Sequence, residues 1–433
     1  MPTELELIAR KHSKNIHKGL SVLPSLKYGI PGALGNKRWT AELILVTYEQ
    51  ASTGCLPTSN LEYKIGQSGG GFDCIDFVNL EESIPESKMR KIDLSIPLNR
   101  RKEGPKIDIP IPIYGGGMSL GSVSLNFMLA RAIAAQELQT FTSTGEGGYP
   151  PELLPYKEHM ITQIATGLFG VREETIQYAR VIEIKYAQGA KPGLGGHLLA
   201  DKVTLAVAKM RESVVSTSLY SPFPFHSVYS VEDHKKHVDW IRSVNPKALV
   251  SVKVATPRDI DMVAIGSYYA GANIIHIDGG YGGTGAAPEI AKKNIAMPIE
   301  YAIPKVHRYL LSEGVRDEVV LIASGGIRTA FDVAKAIALG ADGCVIGTAE
   351  AVAVGCTQCG NCERGRGCQI GITTTDPELS EFIAPEWGAQ RISNLYNSWS
   401  MQWRLLLNSL GLNSIKELRG RTDLLVYEGK ENA

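Results

Sequence analysis

The chain has no net charge, since 45 Lys and Arg offset 45 Asp and Glu over 433 residues. Lacking an excess of positive charge, it carries no electrostatic footprint for nucleic acid or for an anionic membrane surface, and neither is expected as a partner. It also lacks any run of about 20 apolar residues, which excludes an ordinary membrane span. The opening residues, MPTELELIARKHSKN, contain acidic groups and no apolar core, so they do not read as a secretory signal. Cysteine is sparse. Of seven in all, Cys55, Cys74 and Cys344 are scattered, which argues against a disulfide framework. Reduced thiols and the missing signal together give a cytoplasmic expectation.

The other four cysteines are crowded. Cys356, Cys359, Cys362 and Cys368 fall within thirteen residues, in a C-x2-C-x2-C-x5-C pattern. Several thiolates stepped this closely converge on one soft metal centre, and the spacing favours an iron-sulfur cluster, with a zinc knuckle as the alternative.

The length allows one large domain with extensions, or two domains. Apolar, strand-like runs occur at 109–114 (IPIPIY), 181–185 (VIEIK), 248–254 (ALVSVKV), 273–278 (NIIHID), 319–323 (VVLIA) and 343–347 (GCVIG). Helical patterns such as FDVAKAIAL at 331–339 separate several of them. Repeated strand-then-helix units predict a parallel sheet covered by helices. Weaker runs at 139–143 and 161–165 bring the strands to eight, so an α/β fold, a (β/α)8 TIM barrel over 105–353, is expected; a doubly wound sheet is the alternative. Residues 1–104 form an irregular extension packed on the barrel, 354–376 the cysteine loop, and 377–433 a helical extension. Trp399, Met401 and Trp403 there read as helix packing or a subunit contact. No internal repeat is present.

Two glycine-rich turns follow the last two strands. One carries Ser324, Gly325 and Gly326, the other Gly347 and Thr348. Backbone N–H groups in the turns after strands seven and eight of such barrels form a common phosphate site, and glycine lets the backbone approach the phosphate.

The stretches GGGMSLGSVS (115–124), TSTGEGG (142–148), IEIKYAQGAKPGLGGHL (182–198), SPFPFHSVYSVEDH (221–234) and DGGYGGTGAAP (278–288), with the cysteine loop, resemble the central FMN-binding part of glutamate synthase. The resemblance covers roughly 90–376, in order and at similar spacing. It implies a barrel holding FMN and an iron-sulfur cluster, in which ammonia condenses with 2-oxoglutarate and the reduced flavin delivers hydride to 2-iminoglutarate. It places Lys185, Lys191 and Arg211 at positions that hold the dicarboxylate, with Gln188 beside them. Arg suits a bidentate carboxylate contact, and Lys acts as a point charge. Glu146, with Lys185 and Lys191, forms the catalytic set; Glu146 either transfers a proton or orders its loop. Met118 and Ser119 match the segment along the flavin ring. Thr144, Gln163 and Gly283 join Ser324, Gly325, Gly326, Gly347 and Thr348 in the expected cofactor set. Lys253 is expected beside the flavin N1 and O2 edge, the alternative being a pair with Asp278. His197, His226 and His276 read as polar residues of the barrel mouth.

Departures from the family pattern shape the remaining expectations. Cys359 is additional and the last cysteine gap is one residue longer, so [4Fe-4S] fits as well as [3Fe-4S]. Leu194 and His197 replace polar residues of the substrate loop, and Glu183 replaces a Gln. Neither a glutaminase nucleophile nor a glycine-rich β-helix repeat is visible, which gives an expectation of separate glutaminase-like and β-helix-like subunits in a hetero-oligomer. The specific expectation is the flavin subunit of N-methylglutamate synthase, exchanging the amino group of glutamate for methylamine. Ordinary glutamate synthase, using ammonia, is the alternative. A non-catalytic electron-transfer subunit is the alternative of another class, against which Lys185, Lys191 and Arg211 argue, because an electron carrier needs no dicarboxylate ligands.

Overall fold

In the computed structural model, which describes residues 35–36, 38–58, 71–78, 90–284, 287, 291–292, 294–362, 368 and 370–427, eight parallel strands form one sheet. They are β1 (Ile113–Gly115), β2 (Thr142–Ser143), β3 (Met160–Ala165), β4 (Val181–Lys185), β5 (Leu249–Ala255), β6 (Ile274–Asp278), β7 (Val320–Ser324) and β8 (Gly343–Ile346). Their spatial order is β1-β8-β7-β6-β5-β4-β3-β2. The remaining edge is joined by Gly115 N–H donating to Phe141 O at 2.8 Å and by a parallel bridge between Gly117 and Ser143. The sheet is thus a (β/α)8 barrel rather than a doubly wound sheet. Much of the N-terminal extension, part of the 278–288 stretch, and residues 363–367 and 369 of the cysteine loop lie outside the described residues.

The run at 109–114 divides. Asp108–Ile109 pairs antiparallel with Ile96–Pro97, and the barrel strand starts only at Ile113. Pro110 and Pro112 lack the N–H that a central parallel strand must donate, so the ladder cannot run through them.

Apolar residues of the strands are sealed beneath helices α1 (Ala41–Thr53), α2 (Leu125–Glu137), α3 (Glu173–Gln177), α4 (Leu205–Arg211), α5 (Val231–Val244), α6 (Ile260–Ala270), α7 (Ile299–Ser312), α8 (Ala330–Leu339), α9 (Thr348–Ala353) and α10 (Pro385–Ser409). The last of these spans 25 residues and is fixed by aromatic anchors. Trp399 and Trp403 are buried, and Trp403 Nε1 donates to Ala330 O at 2.7 Å, whereas Met401 is 40 % exposed. Gln50 of α1 bonds Ser398 and Gln402 of α10, both at 3.0 Å.

One buried ion pair locks the barrel to its C-terminal helix. Arg131 Nε meets Glu350 Oε2 at 2.7 Å, and Tyr396 donates to Glu350 Oε1 at 2.7 Å. Arg131 also donates to the Gly116 carbonyl. Removing one member of such a pair strands a charge away from water, at a cost of about 3–5 kcal/mol. Glu350→Ala is therefore expected to lower the denaturant midpoint strongly and Glu350→Gln less so; an unchanged midpoint for the alanine variant would contradict this role.

Candidate active site

The charged residues of the strands project into the barrel because strand side chains alternate in direction. Gln163 on β3, Glu183 on β4, Ser251 and Lys253 on β5, His276 and Asp278 on β6, and Ser324 on β7 form one chain of hydrogen bonds that ends in an ion pair. Gln163 Nε2 donates to Glu183 Oε1 at 2.7 Å, and Ser251 Oγ to Glu183 Oε2 at 3.1 Å. His276 Nδ1 lies 2.9 Å from Glu183 Oε2 and its Nε2 2.7 Å from Ser324 Oγ. Ser324 Oγ donates to Asp278 Oδ1 at 2.5 Å, and Asp278 Oδ2 stands 3.5 Å from Lys253 Nζ. Burial alone would raise the Glu183 carboxyl, but His276, Lys253 and the Gln163 hydrogen bond outweigh it and hold the group at about 2. Burial also opposes ionisation of Asp278, yet Lys253 first, then His276 and Ser324, keep it below the usual range.

This arrangement corrects the reading of His276, which is 1 % exposed inside the barrel rather than at its mouth. Lys253 makes the pair with Asp278 that was its alternative assignment, and the Gln163 amide is engaged by Glu183. Glu183, His276, Asp278 and Ser324 as a connected set were not apparent from sequence. Their signal was the alternation of polar with apolar residues through the ends of VIEIK and NIIHID.

Above this layer, loops bring a cationic pocket together. Lys185, the last residue of β4, sits 3.2 Å from Glu146 Oε2. Arg211, at the end of α4, is buried, and its Nη2 donates to Ser119 Oγ at 3.1 Å and Leu120 O at 3.2 Å. Its Nε is buried with no hydrogen-bond partner. Gly147, at φ +103°, admits this packing, since a Cβ there would lie 2.4 Å from Arg211 Cζ. Lys191 is 5 % exposed; burial, then repulsion from Lys185, lower it to about 8 against partial support from Glu146. Glu146 is held below the usual carboxylate range because Lys185, Lys191 and Arg211 overcome its burial. Among the described residues, three cations therefore act on one carboxylate, an excess of two positive charges. The structure thus brings Glu146, Lys185, Lys191, Arg211 and Ser119 into one place. Gln188 is half-buried in the same loop, its carbonyl accepting from Lys191 N–H at 3.3 Å. The loop is tied down by Gly189 N–H donating to Asp278 Oδ2 at 2.9 Å. His197 lies at the pocket's edge against the Tyr220 ring, 5.0 Å between centroids.

The turns after β6, β7 and β8 meet on the same end of the barrel. Gly325, at φ +91°, presses on the preceding turn so closely that a Cβ would stand 2.4 Å from Gly279 O. Gly283 faces Thr348 Oγ1, and Gly347 faces Met118 Cε. Thr144 supports β3 by accepting from Gln163 N–H at 3.2 Å. A cradle of crowded glycine backbone at strand ends, next to α9, fits a phosphate-bearing cofactor.

The cysteine loop follows α9. Gln358 Nε2 donates to Cys356 Sγ at 3.2 Å, and Tyr48 donates to the Cys356 carbonyl at 3.3 Å. Burial, with smaller contributions from Cys368, Cys362 and Cys359, pushes the Cys356 thiol up to about 12. The four thiols are thus neighbours, but among the described residues no three metal-ligating side chains converge. The donor set itself suits a soft metal centre.

Eight parallel strands closed into a barrel, with ionisable groups gathered at their C-terminal ends, define a barrel of the enzyme type. The chain belongs to the glutamate synthase family, residues 78–413 matching the conserved region in glutamate synthase. It is an oxidoreductase of that family. It is 44 % identical over 352 residues to the archaeal glutamate synthase [NADPH] of Methanocaldococcus jannaschii, covering 81 % of this chain and 68 % of the relative. The archaeal-type glutamate synthase [NADPH] of Thermotoga maritima is 42 % identical over 322 residues, 74 % of this chain and 63 % of that protein. The glutamate synthase [NADPH] large chain of Azospirillum brasilense is 36 % identical over 325 residues, 73 % of this chain but 21 % of its own length. The chain therefore spans about two thirds of the length of its archaeal-type relatives. Among solved structures, a mutant flavocytochrome b2 with benzoylformate superposes with a TM-score of 0.52 at 16 % identity, covering 98 % of this chain and 93 % of that one, a likeness of fold. No described helix is long and apolar enough to cross a membrane.

Proposed function

We propose that the chain is the synthase component of a glutamate synthase, converting 2-oxoglutarate and ammonia to glutamate. The observation that carries this reading is the buried pocket in which Lys185, Lys191 and Arg211 act on the Glu146 carboxylate, the one acidic group set against them among the described residues. Two surplus positive charges away from water call for a dianion, and a dicarboxylate with its carboxylates at Lys191 and Arg211 supplies it. Lys185 then lies toward the reacting carbon: ammonia adds to the carbonyl to give a carbinolamine, and the Lys185 ammonium protonates its hydroxyl, which leaves as water to give the imine; Glu146 orients Lys185. FMN, held by Ser324, Gly325, Gly326, Gly347 and Thr348 with Met118, Ser119, Thr144, Gln163, Lys253 and Gly283, supplies the hydride chemistry when bound. The pair Lys253–Asp278 fixes a cation in that layer. Cys356, Cys359, Cys362 and Cys368 would ligate an iron-sulfur cluster, which would supply electron-transfer chemistry; the relatives' names specify NADPH. Ammonia reaches the site from a separate glutaminase-like chain, in a cytoplasmic hetero-oligomer that includes a β-helix-like subunit.

Exchange of the glutamate amino group for methylamine is the second reading, and rests on apolar Leu194 and on His197 at the pocket's edge. Two anaerobic assays of the assembled enzyme decide between them. Glutamate production from 2-oxoglutarate, ammonia and a reductant, with no N-methylglutamate and ammonia formed from glutamate and methylamine, supports ordinary synthesis. N-methylglutamate formed without a reductant would replace it with the exchange.

The pocket also fixes a pH dependence. Lys191 loses its proton at about 8 instead of the usual 10.5. A dicarboxylate binds the protonated lysine, so affinity is full below pH 8 and falls about tenfold per unit above it. Lys191→Arg, whose charge does not titrate there, is expected to flatten the profile of kcat/KM. An identical alkaline fall in the arginine variant would remove Lys191 from the clamp. For the cluster, Cys356→Ser, Cys362→Ser and Cys368→Ser are expected to lose most of the iron. Cys359→Ser decides nuclearity, unchanged iron and spectrum indicating a three-iron centre.

A further inference from the structure

A guanidinium that belongs to no motif faces the turn after β7. Arg38, just ahead of α1, places its Cζ 3.4 Å from the centroid of the Tyr281 ring. A Cβ on Gly326 would lie 3.1 Å from Tyr281 Cβ and 3.7 Å from Arg38 Nη2. Arg38 Nε is buried without a hydrogen-bond partner. The acidic groups nearby do not account for it. Asp73 and Asp332 are both bound by Arg328, and no described carboxylate forms an ion pair with Arg38. Glu300 and Asp73 favour the charge of Arg38 across space, but no described hydrogen bond joins either carboxylate to it. A guanidinium stacked on an aromatic face, with a donor unspent, beside a glycine turn at the end of a barrel strand, is built to receive an oxyanion.

The arginine is also held in place before any ligand arrives. Asn36 Oδ1 accepts from the Arg38 and Trp39 N–H groups at 2.9 and 3.0 Å, and the Arg38 carbonyl accepts from Arg328 Nη1 at 3.0 Å. Trp39 is buried in the core. The same segment reaches the cysteine loop, with Gly35 N–H donating to Thr357 O at 3.0 Å.

We infer that Arg38 is a ligand of the cofactor phosphate at the turns after β7 and β8, so that the N-terminal segment completes the flavin site. This rests on the flavin reading above. Phosphate is the one part of FMN that riboflavin lacks, and comparing the two isolates the contact. On flavin-free full-length protein, dissociation constants for FMN and for riboflavin are measured by fluorescence quenching. The unaltered protein is expected to prefer FMN; Arg38→Ala should weaken FMN by about 10- to 100-fold and leave riboflavin unchanged. Arg38→Lys should recover part of the loss, and Arg38→Gln, which keeps most of the side chain's bulk, should show the same selective loss should the alanine variant fold poorly. Equal weakening of both flavins would make Arg38 a structural residue and overturn the inference, as would unchanged FMN binding. An unaltered protein that binds FMN no better than riboflavin would instead overturn the phosphate site itself.

Discussion

Gly326→Asp is expected to leave the purified chain without flavin. Gly326 sits at φ +107°, a conformation that side chains resist at about 1–2 kcal/mol, and its new Cβ would press on Tyr281 Cβ at 3.1 Å. The larger effect is electrostatic. The added carboxylate would occupy the space before Arg38, where the proposed phosphate needs the same donors. Like charges at that distance are expected to weaken FMN by at least about 100-fold. Gly326→Ala brings the strain without the charge and should retain part of the flavin. The flavin-to-protein ratio after anaerobic purification, with circular dichroism to confirm the fold, checks both variants. Full flavin in the aspartate variant would show that the phosphate is held elsewhere.

Removing the clamp should weaken substrate chemistry and spare the cofactor. In Lys191→Ala and Arg211→Ala, one charge-assisted contact to a carboxylate is lost, worth about 1.5–3 kcal/mol, so kcat/KM for 2-oxoglutarate is expected to fall by about one to two orders of magnitude. The double variant should fall further, though not additively, because both cations act on Glu146 as well as on the ligand. Arg211→Ala has a second consequence, since Arg211 also holds Ser119 and the Leu120 carbonyl. Arg211→Lys retains charge without the fork and should recover binding only in part. Flavin content measured alongside separates these effects from loss of cofactor. Near-normal turnover in both single variants would return the electron-carrier reading to the front.

Much of the barrel was legible because its strands are apolar runs punctuated by glycine turns. The two fainter stretches, β2 and β3, were weak for a local reason: β2 is only Thr142–Ser143, and Thr162 and Gln163 interrupt the apolar run of β3. The start of β1 was misplaced within IPIPIY, where alternate prolines look strand-like in composition but cannot fill a central ladder. Lys185, Lys191, Arg211 and Glu146 could be singled out one by one. Their convergence depends on loops from three parts of the chain, which no spacing rule reports. The same holds for His276, whose environment is set by Glu183 from β4 and Ser324 from β7. Parallel register brings those side chains together, and register is a property of the closed sheet. Arg38 left no pattern at all, being one arginine in an irregular segment.

The central claim is that this barrel performs substrate chemistry at the cationic pocket, and one anaerobic rapid-mixing experiment tests it most directly. The flavin-loaded protein is reduced chemically and mixed with 2-oxoglutarate, with ammonium, and with both together, while flavin absorbance and glutamate are followed. Reoxidation is expected only with both, with one glutamate formed per flavin and a rate lost in Lys191→Ala. A reduced flavin that stays reduced with 2-oxoglutarate and ammonium, or with methylamine in place of ammonium, would contradict the account.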